Sequence, residues 1–287
     1  MLHVMGAAPL ERDGAKRRGC NFASGDGDEL DVRSCREGPG VIWHWQQGSR
    51  MKGLSRSLVA AALPPSRSVL AVCAHPDDES FGLGAALGTF NELGSATSVV
   101  CFTHGEASTL GAEVTDLGSV RARELEDAAD ELGVSDVALF DFVDGRLAEE
   151  PLDSLTSRIS QTALRAHADL LLVFDEGGVT GHADHCRATE AAVEAARELD
   201  LPVLAWTLRE SVADTLRREF GAAFVGRSDV ELNFVVRVNR ERQSRAIQRH
   251  VSQAVDNPVL ARRLELQGDD ESFVWLRAPS SVVESAT

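Results

Sequence analysis

Four short polar clusters carry the residues that could do chemistry. The first, A-H-P-D-D-E at 74–79, holds His75, Asp77, Asp78 and Glu79. The others are T-H-G-E at 103–106, D-F-V-D-G at 141–145, and D-E-G-G-V-T-G-H-A-D-H at 175–185. His75 and Asp78 are three apart, so one tight turn, stiffened by Pro76, can aim both at one point. His182 and His185 repeat that spacing. Imidazole and carboxylate are donors suited to zinc, and three protein ligands leave a coordination position open for water, which is the catalytic pattern. Taken singly, each motif also reads as a solvated turn, or as a helix cap with Asp184 opening the helix. Taken jointly they favour a metal site.

Something must bring the clusters together, and the flanking sequence supplies it. Apolar runs at Val69–Ala74, Thr97–Thr103, Val137–Phe142 and Leu170–Asp175 end at the four clusters in turn. Further runs at Val203–Thr207, Leu232–Val238 and Phe273–Leu276 read as strands. Helical periodicity begins near Ser80, Leu117, Leu152, Asp184, Ser211 and Asn239. Between Ala122 and Leu132, apolar residues recur every three to four positions, and Gly133 supplies a stop. Uninterrupted apolar strands such as L-L-L-V-F are buried on both faces, as in parallel sheets. Strand–helix alternation therefore predicts an α/β fold, a three-layer Rossmann-like sandwich with a mostly parallel sheet. In open sheets of that kind ligands bind beyond the carboxyl ends of the strands, where all four clusters fall.

Composition narrows the partners. The net charge of −16 over 287 residues disfavours nucleic acid, whose phosphates attract basic faces, and anionic membrane surfaces. The five cysteines form no Cys-x-x-Cys pair, so a thiolate zinc site is unsupported and a reducing, cytoplasmic setting is expected. No apolar run reaches the length of a membrane span. Residues 1–65 show no period and are expected to be a disordered extension, with Met51 as the natural start; 66–280 form the domain and 281–287 a tail. A homo-oligomer is compatible with the sequence.

The paired motifs A-H-P-D-D-E and G-H-A-D-H give the chain its resemblance to the LmbE/PIG-L de-N-acetylases, zinc-dependent enzymes acting mainly on N-acetylglucosamine conjugates. T-H-G-E, V-R-A-R-E-L at 120–125 and R-H-V-S-Q at 249–253 add to it, so that the resemblance runs from about Ser68 to Arg277. The family commonly has Pro where Ala183 stands, and some members use an active-site Tyr, a residue this sequence lacks. The resemblance implies zinc, with iron(II) as an alternative, held by His75, Asp78 and His185. It implies Asp77 as general base, His182 polarising or protonating the amide and, when protonated, stabilising the oxyanion, and Asp184 orienting His182; the leaving nitrogen takes its proton from Asp77 or His182. It tips Arg121 toward substrate contact over an i,i+3 pair with Glu124. Glu106 and Asp144 are further candidates for binding sugar hydroxyls, or else loop-shaping residues, and His250 either nears the metal or packs.

The expected reaction is removal of an N-acetyl group from a small amino-sugar conjugate by metal-activated water. The alternatives are an amidase on a sugar-linked thiol conjugate and a metal- or sugar-binding module without turnover. A nucleotide-binding protein is remoter, because G-L-G-A-A-L lacks the full glycine fingerprint and follows an acidic cluster.

Overall fold

The computed structural model of the chain describes residues 62–280. The proposed Met51 start, the tail 281–287 and all but the last four residues of the expected extension lie outside them. Along the chain the elements are β1 (Ser68–Cys73), α1 (Asp78–Phe81), α2 (Gly84–Glu92), β2 (Ala96–Thr103), α3 (Leu117–Leu132) and β3 (Asp136–Phe142). Then come α4 (Leu152–Arg165), β4 (Leu170–Phe174), α5 (Ala183–Leu199), β5 (Val203–Arg209), α6 (Glu210–Phe220) and β6 (Gly226–Arg227). The described chain closes with β7 (Phe234–Arg237), α7 (Glu241–Arg249), α8 (Val251–Ala254), α9 (Pro258–Gln267) and β8 (Asp270–Arg277).

The sheet runs β3-β2-β1-β4-β5-β8-β7, with β6 beside the end of β5. Strands β1 to β5 are parallel; β8 is antiparallel to both β5 and β7. Alternation along β1 shows why both faces are covered. Val69, Ala71 and Cys73 enter the core beneath α2, α3, α6, α7 and α9, whereas Leu70 and Val72 enter the core beneath α4 and α5. An alanine stripe on α5 (Ala188, Ala191, Ala192, Ala195, Ala196) is buried in the second core. The expected three-layer α/β sandwich is the observed one.

Two features depart from the expected pattern. The single helix anticipated near Ser80 is broken into α1 and α2 at Gly82. There the backbone passes so close to Phe174 that a Cβ would sit 2.3 Å from the ring edge. Helix α9 was not anticipated, although Asn257 caps it through Leu260 N–H and Pro258 opens it.

The connection reverses direction between β1 and β4: from β1 the chain moves outward to β2 and β3, then returns to β4. That switch point opens a crevice at the strands' carboxyl ends. The segments leaving β1 and β4 there are 74–79 and 175–185.

Candidate functional site

His75 leaves the end of β1, fully buried. Its Nδ1 lies 3.2 Å from Nε2 of His185 and 3.7 Å from Oδ2 of Asp78. His185 Nε2 is 3.1 Å from Oδ1 of Asp78. The outward-facing nitrogens are held in turn. His185 Nδ1 donates to the carbonyl of Gly178 at 3.0 Å. His75 Nε2 faces Asp144 Oδ1 at 3.0 Å and Asp184 Oδ2 at 3.3 Å. These contacts choose the tautomers: each ring spends its proton on an outer acceptor and turns a lone pair inward. Two lone pairs 3.2 Å apart repel unless a proton or a cation lies between them.

The spacing fits a metal. Ligands about 2.0–2.2 Å from a tetrahedral ion are about 3.3–3.6 Å from one another, and the inward-facing contacts, 3.1–3.7 Å, bracket that spacing. Outer hydrogen bonds from ligating histidines to carboxylates and carbonyls are the usual means of fixing such rings. His75 belongs to two groupings that could take a cation: one with His182 and His185, the other with Asp144 and Asp184. In the second, only the Nε2 already engaged by the carboxylates faces them. We therefore assign the lone-pair side, toward His185 and Asp78, as the candidate centre.

Charge follows burial and neighbours. Burial would push the Asp78 carboxyl up, but His185 and His75 hold it well below the usual range. Burial pushes the His185 imidazole down, against the pull of Asp78. For His75 burial also acts downward, yet Asp144, Asp184 and Asp78 outweigh it and raise the imidazole. Asp144 and Asp184 are both lowered against burial by His75.

Asp77 occupies a left-handed backbone conformation, φ 111°, at the start of α1. Its N–H donates to Glu79 Oε2 at 2.9 Å, and its Oδ2 accepts from Arg121 Nη2 at 3.0 Å. The side chain lines the same cavity as Asp78 and His185. The rest of its wall is mostly apolar, with Phe81, Phe174, Val179, Trp206 and Phe224 beside Thr180. Arg263 borders it, donating to Gln267 and lying over the Trp206 ring.

His182 caps α5, with Nδ1 accepting from the main-chain N–H of Asp184 at 3.2 Å. A neutral ring so capped carries its proton on Nε2. Burial, reinforced by His75 and His185, pushes the imidazole down to about 4. That shift favours an uncharged ring over the protonated one expected. Asp184 does sit beside it, but through the backbone. The Asp184 carboxylate accepts from Gly145 N–H (2.7 Å) and Leu147 N–H (3.0 Å) and faces His75.

The three candidate substrate contacts are placed as follows. Arg121 is fully buried, and its guanidinium is spent on Asp77, the Pro76 carbonyl and the Gly105 carbonyl. The anticipated alternative, a pair with Glu124, is not formed either, because Glu124 accepts from Ser252 N–H and Oγ. Asp144 is buried against His75 and accepts from Ala107 N–H, while Glu106 accepts from Asp144 N–H. That exchange ties the loops after β2 and β3 together.

Sequence reasoning assigned no role to several further residues. Glu79 is fully buried and accepts from Ser80 Oγ and His250 as well as Asp77 N–H. Asp175, first after β4, is claimed by Arg227 at 2.7 and 2.8 Å and by Thr207 at 3.0 Å. Gly178, at φ 65°, passes within 2.9 Å of His185 Cβ when given a Cβ of its own. A glycine four residues past the end of β4 was the available signal for that turn. His104 pairs with exposed Asp141 at 2.8 Å.

A parallel α/β sheet with a His–Asp–His cluster at its switch point, a carboxylate beside it and an apolar cavity in front defines a class of metal-type α/β proteins. The sequence profile of a family described as PIG-L, GlcNAc-PI de-N-acetylase, matches residues 70–196. Over that segment the chain is similar to the PIG-L/LmbE family. It is 30% identical over 164 residues to a 1D-myo-inositol 2-acetamido-2-deoxy-alpha-D-glucopyranoside deacetylase of Kineococcus radiotolerans, covering 46% of this chain and 45% of that one. It is 29% identical over 176 residues to a probable N-acetyl-alpha-D-glucosaminyl L-malate deacetylase of Bacillus cereus, covering 58% and 76%. The fold resembles that of a teicoplanin deacetylase solved in a zinc-inhibited form, with a TM-score of 0.58, 18% identity, and coverage of 75% and 100%. The chain spans about half the length of the first curated relatives it matches. No helix among the described residues is long and apolar enough to cross a membrane.

Proposed function

We propose that this chain is a metal-dependent hydrolase that removes the N-acetyl group from an N-acetylglucosamine-type conjugate. The observation that carries the reading is the inward convergence of His75 Nδ1, His185 Nε2 and the Asp78 carboxylate beside Asp77. The names of the relatives supply the substrate class.

His75, Asp78 and His185 would hold zinc, or iron(II), which the same donors accept. Bound there, the ion would supply Lewis acidity toward an amide carbonyl and bring the pKa of water down to about 7. Asp77, next to the ligand Asp78 but turned to Arg121, takes the proton of the attacking water. Arg121 keeps that carboxylate in place. His182 donates from Nε2 to the oxygen on which charge develops; one such donor is typically worth about 2.7–4 kcal/mol. The leaving nitrogen takes its proton back from Asp77, the group that has just received one. Phe81, Phe174, Val179, Trp206 and Phe224 present an apolar wall suited to the acetyl methyl. A hydroxylated sugar ring buried there would leave its polar groups unpaired, so the sugar lies on the open side near His182.

A screen of N-acetylated sugars and their conjugates, with acetate measured, tests this reading. Acetate release that a chelator abolishes and zinc restores is expected. Metal uptake without release from any N-acetylated sugar would instead favour a binding module.

A further inference from the structure

The proposed base is held from a part of the chain far outside the matched family segment. Asp77 adopts φ 111°, which is strained for a non-glycine residue and persists only where neighbours over-determine it. Its side chain is fixed by Arg121. Its main chain is fixed by Glu79, whose Oε2 accepts the Asp77 N–H at 2.9 Å. The other oxygen of Glu79 lies 2.6 Å from Nε2 of His250, which is 171 residues away. Both side chains are fully buried, and the remaining nitrogen of His250 has no partner among the described residues. An orphaned buried nitrogen is a cost, so the ring's position is dictated by Glu79 rather than by its own needs.

The two polar neighbours of His250 act alike. Ser252 binds Glu124 on α3 through both its N–H and Oγ. Gln253 accepts from Ser108 Oγ at 2.7 Å and donates to the Leu110 carbonyl at 3.1 Å. Through His250, Ser252 and Gln253 the segment H-V-S-Q thus fastens helix α1, helix α3 and the loop after β2.

We infer that His250, Ser252 and Gln253 form a clamp that positions the base, His250 acting on Asp77 through Glu79. The inference rests on the reading of Asp77 as the base. His250 and Glu79 are positioning residues; neither lines the cavity.

Removing one member alone strands a buried charge, so the test removes both. Glu79→Leu/His250→Leu takes out the pair together and avoids the penalty of an unpaired ion. It is expected to keep zinc content and KM while kcat falls about tenfold to a hundredfold, the scale of a misplaced catalytic group. Glu79→Gln, whose amide oxygen can still accept the Asp77 N–H and whose amide nitrogen can still reach His250, is expected to recover most of kcat. Wild-type kcat in the double variant overturns the clamp, as does an equal loss in both variants. Crystals of the double variant give a readout free of turnover, with Asp77 expected to leave its left-handed conformation. If the wild type releases no acetate, the deacetylase reading fails. The clamp is then judged by those crystals alone, and Asp77 unchanged near φ 111° refutes it. Should the double variant not fold, Glu79→Gln decides by proton NMR and kcat. The downfield imidazole proton expected of the 2.6 Å His250–Glu79 contact must be present in wild type and lost in Glu79→Gln; its absence from wild type overturns the clamp.

Discussion

Nδ1 of His75 and Nε2 of His185, 110 residues apart in sequence, face each other at 3.2 Å, each on a ring whose other nitrogen is held by an oxygen acceptor. The arrangement turns two lone pairs toward one point, with the Asp78 carboxylate as a third donor. The predictions below follow from who holds whom around that point.

Asp77→Ala should keep its metal and lose turnover. A positioned general base is worth about 10²–10⁴ in rate, so kcat should fall by about that factor while elemental analysis shows wild-type zinc. Near-wild-type turnover would remove Asp77 from the mechanism.

Asp144 should matter to metal rather than to sugar. Its carboxylate lies 3.0 Å from His75 Nε2. Loss of such an outer partner of a ligating histidine typically costs about 10–100-fold in metal affinity or activity. Asp144→Asn is therefore expected to weaken zinc binding by about that factor, measured by competition with a chromogenic chelator, with KM at saturating zinc unchanged. A raised KM at unchanged zinc affinity would return Asp144 to the substrate side.

Arg121 makes the same distinction for the base. Arg121→Gln should lower kcat and leave KM in place, because no substrate reaches a fully buried guanidinium. Breaking a buried pair from one side also destabilises by about 3–5 kcal/mol, so a lowered melting temperature is expected alongside. A KM effect without a kcat effect would contradict this placement.

His182 should make the metal-free protein acid-sensitive. Its folded-state imidazole sits at about 4, against about 6.5 when unfolded. Between those values the unfolded chain binds the extra proton and the folded chain does not. Its contribution is therefore fully present above about pH 6.5 and is lost as pH falls toward about 4. His182→Gln should flatten that part of the stability curve in chemical denaturation; an unchanged slope would mean the ring is not desolvated as described.

Much of this was legible in the residues. Runs such as Leu170–Phe174 are apolar on both faces, so the parallel sheet and its two cores followed from pattern. The four clusters followed because each polar residue comes directly after an apolar run. What pattern does not carry is the aim of a side chain. Arg121 sits on the buried face of α3, where an amphipathic reading has no place for a guanidinium. Only the bare Cα of Gly105, where a Cβ would lie 2.1 Å from Arg121 Nη1, makes room for it. Asp144 and Asp184 look like free loop carboxylates until the turn after β3 folds over His75. The clamp at 250–253 was legible as a motif, yet its partners lie on three other elements and no spacing rule links them.

The central claim is that one cation sits on the lone-pair side of His75. Crystals grown with zinc and measured at the zinc absorption edge would locate it. The account predicts one anomalous peak about 2.0–2.2 Å from His75 Nδ1, His185 Nε2 and an Asp78 oxygen. A peak on the opposite side of the ring, between Nε2, Asp144 and Asp184, or none at saturating zinc, would contradict it.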